Sequence, residues 1–190
     1  MNYIVFDLEW NQATARHLKV VDPFPLNGEI IQFGAVKVGS LTDPEIIDTY
    51  TEIVKPVYYT KMNKGVEEVT ELTEEVVLQG RPFPEVCREF LEWCGEEFAF
   101  ISWSPNDIYM LEDNMSIHGM AVEGLPECYD LQLVFDDQVT QDGKDNALSY
   151  AMWRMEITPH RSHDALNDAL NTVEVMKKLD LSEGLEGYEV

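Results

Sequence analysis

Residues 2–10 read NYIVFDLEW, and this run of β-branched and aromatic side chains predicts a strand. Because successive side chains of a strand point to opposite faces, Asp7 and Glu9 lie on the same face. Two carboxylates so close together on an apolar strand are unfavourable unless a positive group holds them. Two alternatives are open at this point, a metal ion or a strand end at which both side chains reach water.

The next two patterned stretches also predict strands. GEIIQFGAVKV (28–38) and IIDTYTEIVKP (46–56) alternate in part between apolar and polar residues, and turn-forming residues separate them. The connection between these two stretches is short, whereas residues 11–27 form a longer loop. We therefore predict a three-stranded antiparallel meander.

Helical and strand patterns alternate along the rest of the chain. Apolar residues at helical spacing predict helices, and short continuous apolar runs predict buried strands. The predicted helices are residues 65–79, 81–97, 106–120, 146–153 and 162–179, and the predicted strands are residues 98–103 and 128–135. This order predicts an α/β fold with a mixed five-stranded sheet, three antiparallel strands followed by two parallel ones, and helices on both faces.

The composition indicates one globular domain. The 190 residues are 45% hydrophobic, which is enough for a substantial core, and no apolar run is long enough to predict a membrane span. We predict a single domain over residues 1–180 and a loosely ordered acidic tail over residues 181–190. No secretory leader is recognisable, and three cysteines without CxxC spacing predict free thiols and a cytoplasmic protein.

The charge restricts the class of partner. The formal net charge of −23 should repel the phosphate backbone of a long nucleic-acid duplex. Either the substrate is not an anion, or some of the carboxylates bind metal ions that reverse the local field.

Further acidic residues lie where α/β proteins place their functional groups. Asp107 follows a predicted strand and begins a helix, where an acid is also favoured by the helix dipole alone. The stretch HRSHDALNDALNTV (160–173) contains His163 near a helix start and Asp168 beside the apolar side of that helix. These side chains are either solvated charges or a base and a metal ligand. Two Mg²⁺ ions need a cluster of about four acids, which Asp7, Glu9, Asp107 and Asp168 can supply.

Three motifs, in order, resemble those of the DEDDh group of DnaQ-like 3′–5′ exonucleases, which have an RNase H-like fold. FDLEW resembles the first motif, with Asp7 and Glu9, and SWSPNDIYML resembles the second, with Asp107. HRSHDALNDALNT resembles the third, with His163 and Asp168. The resemblance covers nearly the whole chain. Trp10 departs from the family pattern, in which a small residue follows the glutamate of the first motif.

The resemblance implies a mechanism with two Mg²⁺ or Mn²⁺ ions held by Asp7, Glu9, Asp107 and Asp168. One ion would activate a water, His163 would take its proton, and the other ion would stabilise the leaving 3′ oxygen, which releases a nucleoside 5′-monophosphate. A catalytically inactive relative that binds nucleic acid or protein is the alternative. A glycosidase is a third reading, but Asp7 and Glu9 on one strand face are poorly placed to flank a sugar.

Residues outside the motifs suggest how the substrate is bound. KPVYYTKMNK (55–64) contains Lys55, Lys61 and Lys64 together with two tyrosines, a composition that suits single-stranded RNA or DNA and fits a solvated surface loop equally well. Trp10 either stacks on a terminal base or packs in the core. A second basic stretch is TARHLK (14–19). These features favour a short or single-stranded nucleic acid as partner, and apolar positions on the meander are compatible with a homodimer.

Overall fold

The first three strands form the predicted antiparallel meander. In the computed structural model, which describes residues 1–15 and 19–190, β1 (Asn2–Asn11) pairs with β2 (Glu29–Val38), and β2 pairs with β3 (Ile46–Lys55). A bulge interrupts the β1–β2 register between Glu9 and Trp10. Such bulges bend a strand, and this one lies at the end of β1 that carries the paired acids.

The remaining strands complete a mixed sheet. They are β4 (Arg81–Pro82), β5 (Phe98–Ser102) and β6 (Cys128–Asp130). β5 runs parallel to β1, and β6 runs parallel to β5, so the two parallel strands are confirmed. The sheet order is β4-β3-β2-β1-β5-β6, with six strands instead of five, because the two-residue β4 pairs in parallel with the end of β3.

The helices follow the predicted order, with one division. Residues 65–79 form two helices, because Glu71 adopts a left-handed conformation and Thr73 caps a new helix start. The helices are α1 (Lys64–Thr70), α2 (Glu74–Leu78), α3 (Phe83–Cys94), α4 (Asn106–Ile117), α5 (Leu131–Phe135), α6 (Leu148–Arg154) and α7 (Ala165–Met176), with a π-helical turn at Asp136–Thr140. In the described part of the chain, no helix has the length and apolar character that crossing a membrane requires.

The predicted strand over residues 128–135 is correct only for its first three residues. The Asp130 side chain accepts a hydrogen bond from the Gln132 backbone N–H at 2.9 Å and caps α5, so the apolar residues that follow are helical. A short apolar run fits a buried strand and a buried helix equally well, and here the capping aspartate decides.

Helices cover both faces of the sheet, as predicted. Ile4, Phe6 and Leu8 of β1 belong to the apolar cluster that contains residues of α3 and α4. Val5, on the opposite face, packs in the cluster that contains Val173 of α7. Because side chains alternate along β1, Asp7 and Glu9 share the α7 face with Val5. The paired acids thus continue an otherwise buried apolar row.

The C-terminal segment 181–190 is not the loosely ordered tail that its composition predicts. Leu181 and Leu185 are each 3% exposed and belong to the core cluster under α7. The Asp130 N–H donates to the carbonyl of Tyr188, and the Val190 N–H donates to the carbonyl of Cys128, each at 2.9 Å. The two leucines and these backbone bonds hold the acidic segment against the edge of the sheet at β6.

Candidate active site

All five predicted catalytic residues line one cleft. Asp7 and Glu9 come from β1, Asp107 from the first turn of α4, Asp168 from α7, and His163 from the segment just before α7. The cleft has a volume of about 300 Å³. Its remaining wall includes residues of the segment after β5 and of the start of α6.

A buried hydrogen bond fixes Asp107 to β1. Asp107 is 6% exposed, and its Oδ1 accepts the backbone N–H of Leu8 at 3.0 Å, between the two acids of the strand. Asn114, one of the buried residues of α4, accepts the Ile30 N–H at 3.1 Å and donates to the carbonyl of Gly28 at 3.1 Å. α4 is therefore held to both β1 and β2, and the carboxyl of Asp107 has little freedom to move.

The start of α7 lies directly against β2 because residue 34 is a glycine. A Cβ on Gly34 would lie 2.0 Å from the carbonyl carbon of Ala165, closer than real contacts allow. The buried amide of Gln32 clamps the same helix start, since it donates to Asp164 and accepts the Ala165 N–H, each at 3.2 Å. Neither residue was predicted from the sequence, although a glycine inside a strand pattern signals close backbone approach.

Asp168 and His163 are joined through the backbone. The His163 N–H donates to Asp168 Oδ2 at 2.7 Å, and the Asn171 amide donates to Asp168 Oδ1 at 3.2 Å. Asp164, and not His163, caps α7, so the helix begins three residues later than predicted. His163 is exposed and has a φ of 60°, which places it outside the helix. Glu9, His163 and Asp168 each offer one potential ligand atom, and these three atoms lie within 4.8 Å of one another.

The surroundings of the four carboxylates disfavour their ionised forms. Burial, followed by repulsion from neighbouring acids, raises the pKa of Glu9 to about 8, and burial raises the pKa of Asp107 to about 7. The pKa values of Asp7 and Asp168 are also raised, chiefly by burial. Within residues 1–15 and 19–190, no lysine or arginine forms an ion pair with any of the four.

This donor set fits a hard divalent cation. Clustered carboxylate oxygens are the ligands that Mg²⁺ and Mn²⁺ prefer. A dication would offset both the burial of the negative charges, which is the main cause of the raised pKa values, and the repulsion between the acids, which adds to it. A structural ion pair does not explain the cluster, because the basic side chains of the described residues pair elsewhere or not at all.

Trp10 both packs and faces the cleft. Its indole lies over Gly28, where an added Cβ would come within 2.4 Å of Cδ1, and it packs against the apolar cluster on the α4 face. The side chain is partly exposed and lines the cleft beside the paired acids. Packing therefore holds one part of the ring, and the other part is accessible from the cleft.

The three predicted substrate-binding lysines do not line the cleft among its described residues. Lys61 pairs with Glu74 at 2.5 Å, and Lys61 and Lys64 line a separate hollow of about 480 Å³. Lys55 is exposed at the end of β3. In the basic stretch 14–19, residues 16–18 lie outside the described part of the chain.

Two buried polar side chains determine the position of the loop 55–64, which contains the three lysines. The Glu29 carboxylate accepts backbone N–H groups of the loop, including that of Tyr59 at 2.7 Å, and Asn11 donates to the carbonyls of Tyr59 and Lys61. These bonds fold the loop back onto the end of β1. Tyr59 is fully buried, so only Tyr58 of the two tyrosines in this loop is accessible to a ligand.

Known proteins share this architecture. The exonuclease family RNase_T matches residues 4–176. The chain is 23% identical over 183 residues to the "Probable 3′-5′ exonuclease KapD" of Bacillus subtilis (strain 168), covering 93% of this chain and 83% of that protein. Among solved structures, the nuclease domain of 3′hExo, "a DEDDh family member, bound to rAMP", superposes with a TM-score of 0.80 at 16% identity, covering 100% of this chain and 96% of that one. Pop2p of S. pombe, in its "Mg2+ and Mn2+ bound form", superposes with a TM-score of 0.64 at 18% identity, covering 93% and 81%.

Proposed function

The chain belongs to the RNase_T exonuclease family, and from that premise we propose that it is a metal-dependent 3′–5′ exonuclease that releases nucleoside 5′-monophosphates from single-stranded RNA or DNA. The observation that carries the proposal is the cleft in which four carboxylates from three separate segments meet an exposed histidine. The similarity to KapD, which is named a probable 3′–5′ exonuclease, supports the direction of cleavage.

Asp7, Glu9, Asp107 and Asp168 would hold two Mg²⁺ or Mn²⁺ ions. When bound, the ions would supply Lewis-acid stabilisation of the phosphate charge and a lower pKa for the attacking water. The residues themselves supply position. Asp107 is fixed by its bond from Leu8, and Asp168 by its bonds from the His163 backbone and the Asn171 side chain.

His163 is the residue we assign to proton transfer. Its side chain is exposed at the cleft, and one of its ring nitrogens lies within 4.8 Å of oxygens of Glu9 and Asp168. The hydrogen bond from its backbone N–H to Asp168 ties the imidazole to the helix that carries this carboxylate. An imidazole so placed accepts the proton of a water that attacks phosphorus.

The cleft and the charge favour a single-stranded end as substrate. A net charge of −23 leaves little attraction for a long duplex, whereas a terminal nucleotide needs only the cleft and its ions. The accessible part of Trp10 is placed to contact the terminal base. Lys55, Lys61 and Lys64 lie outside the cleft, so we assign them no contact with the terminal nucleotide.

The test is cleavage of single-stranded RNA and DNA oligomers labelled at the 5′ end, with Mg²⁺, with Mn²⁺ or with EDTA. We expect a ladder that shortens by one nucleotide at a time, requires metal and disappears in Asp7→Ala and His163→Ala. Ile47→Ala, at an exposed position near the start of β3, is the control and should cleave like the wild type. If the protein bound the oligomers without metal and did not cleave them, the result would favour an inactive binding module over an enzyme.

A further inference from the structure

An aromatic pair is exposed on α6, close to the cleft. Trp153 is 71% exposed and Tyr150 is 39% exposed, and their ring centroids lie 5.7 Å apart. A large aromatic surface in contact with water is unfavourable for a folded chain unless it meets a partner. Neither residue belongs to the three motifs that carry the proposed catalysis.

The pair is connected to the cleft by a row of rings. Trp103, which lines the cleft, lies 5.6 Å from the buried ring of Phe135, and Phe135 lies 6.5 Å from Tyr150 in an edge-to-face arrangement. Trp103 is itself fixed, because its indole N–H donates to the carbonyl of Asn146 at 2.9 Å. The buried rings brace Tyr150, so the exposed pair rests on a rigid base.

α6 also sets the distance from the cleft to the pair. Ala147 and Leu148, at the start of this helix, line the cleft. Trp153 lies six residues after Ala147, which corresponds to about 9 Å along the helix axis. Stacked nucleotides of one strand rise by about 3.4 Å each, so two or three nucleotides span this distance.

The charges around Trp153 favour stacking over phosphate binding. Trp153, Arg154, Glu156 and Ile157 line a hollow of about 420 Å³, so its lining includes one positive and one negative side chain. A patch without net charge gives an anionic backbone little attraction, whereas every nucleobase has a face that can stack on an indole.

We propose that Tyr150 and Trp153 form a platform on which a base of the single-stranded substrate stacks, two or three nucleotides to the 5′ side of the nucleotide being removed. This inference rests on the function proposed above, because it concerns the part of a single-stranded substrate that extends out of the cleft. The platform selects for substrates long enough to reach it, and it does so without reading base identity.

The first arm of the test measures binding without cleavage. In EDTA, the affinity of the full chain for a fluorescent single-stranded oligomer of about 12 nucleotides is compared between wild type, Trp153→Ala, Trp153→Phe and Ile47→Ala. We expect Trp153→Ala to weaken binding about tenfold, by the same factor at low and high salt, and Trp153→Phe to restore most of the loss. Equal affinity of wild type and Trp153→Ala would overturn the proposal and leave the surface to a protein partner.

The second arm measures cleavage with Mn²⁺. For Trp153→Ala we expect a KM about tenfold higher on the long oligomer and unchanged on a dinucleotide, which cannot reach the platform. An equal change on both substrates would overturn the platform while leaving the exonuclease intact. If no variant and no wild-type protein cleaves, the enzyme proposal fails, and the binding arm still decides whether the platform exists.

Discussion

Replacing Gly34 by alanine tests how the cleft is assembled, because the backbone of α7 lies directly against β2 at this residue. The new Cβ would lie 2.0 Å from the carbonyl carbon of Ala165, and an ordinary contact begins at 3.4 Å, so the helix must move by about 1.4 Å. Both neighbours are backbone, and no rotamer change relieves the overlap. α7 carries Asp168, so the displacement reaches the cleft.

The expected effects are large on activity and moderate on stability. Misplacing a reacting group by about 1 Å lowers rates roughly 100-fold, and overpacking costs about 1–3 kcal/mol, which corresponds to a fall in Tm of about 2–12 °C for a chain of this size. The assays are exonuclease rate, thermal unfolding and Mn²⁺ affinity by calorimetry.

Gly39→Ala is the matched control, since its new Cβ would meet only the mobile end of Ile47 at 3.1 Å. We expect this variant to keep the activity and the Tm of the wild type. A Gly34→Ala protein with wild-type activity and Tm would refute the reasoning, because it would mean that α7 does not depend on the absence of a side chain at this position.

Three further perturbations separate charge, proton transfer and metal binding. His163→Ala should lower kcat by about 10²–10⁴ and leave the calorimetric Mn²⁺ affinity near that of the wild type; loss of metal affinity of similar size would contradict its role as a base. Asp107→Asn keeps an acceptor for the Leu8 N–H but removes a buried charge. The Tm without metal should therefore rise, while activity falls by more than about 100-fold. A lower Tm would argue against repulsion among the acids. In the absence of metal, the pKa values of Glu9 and Asp107 are raised to about 8 and about 7, so the folded chain should bind more protons than the unfolded chain. The unfolding free energy should therefore fall as pH rises from about 5 to about 8. Thermal unfolding in EDTA across this window checks the sign, Asp107→Asn should reduce the slope, and a Tm that increases with pH would be inconsistent with the cluster.

The meander and most helices were predictable because they are written in local patterns. Alternation and turn residues delimit β1, β2 and β3, and helical spacing delimits α3, α4 and α7. The break between α1 and α2 was not predictable from spacing, since the apolar period continues through Glu71, whose left-handed backbone ends the first helix. The packing of Leu181 and Leu185 likewise depends on a surface that other segments create.

Some residues of the candidate site were also predictable from local sequence, and others were not. The five cleft residues carry their signal in short motifs, and the structure brings them together. The lysines were predicted from composition, but their position depends on hydrogen bonds that Asn11 donates and Glu29 accepts, and both residues are distant in sequence. Gly34 and Gln32 act through contacts with a helix more than a hundred residues later, and only the glycine leaves a trace in the sequence. The cytoplasmic location and the homodimer stay predictions.

The order of the cleft residues along the chain has a consequence for synthesis. A ribosome adds about 5–20 residues per second, so Asp168 is made roughly 8–30 s after Asp7. During that interval the emerging polypeptide has the acids of β1 but lacks α7, and the donor set is incomplete. Until α7 has been synthesised and has packed against β2, the nascent chain therefore lacks the activity that we propose, although RNA is close by.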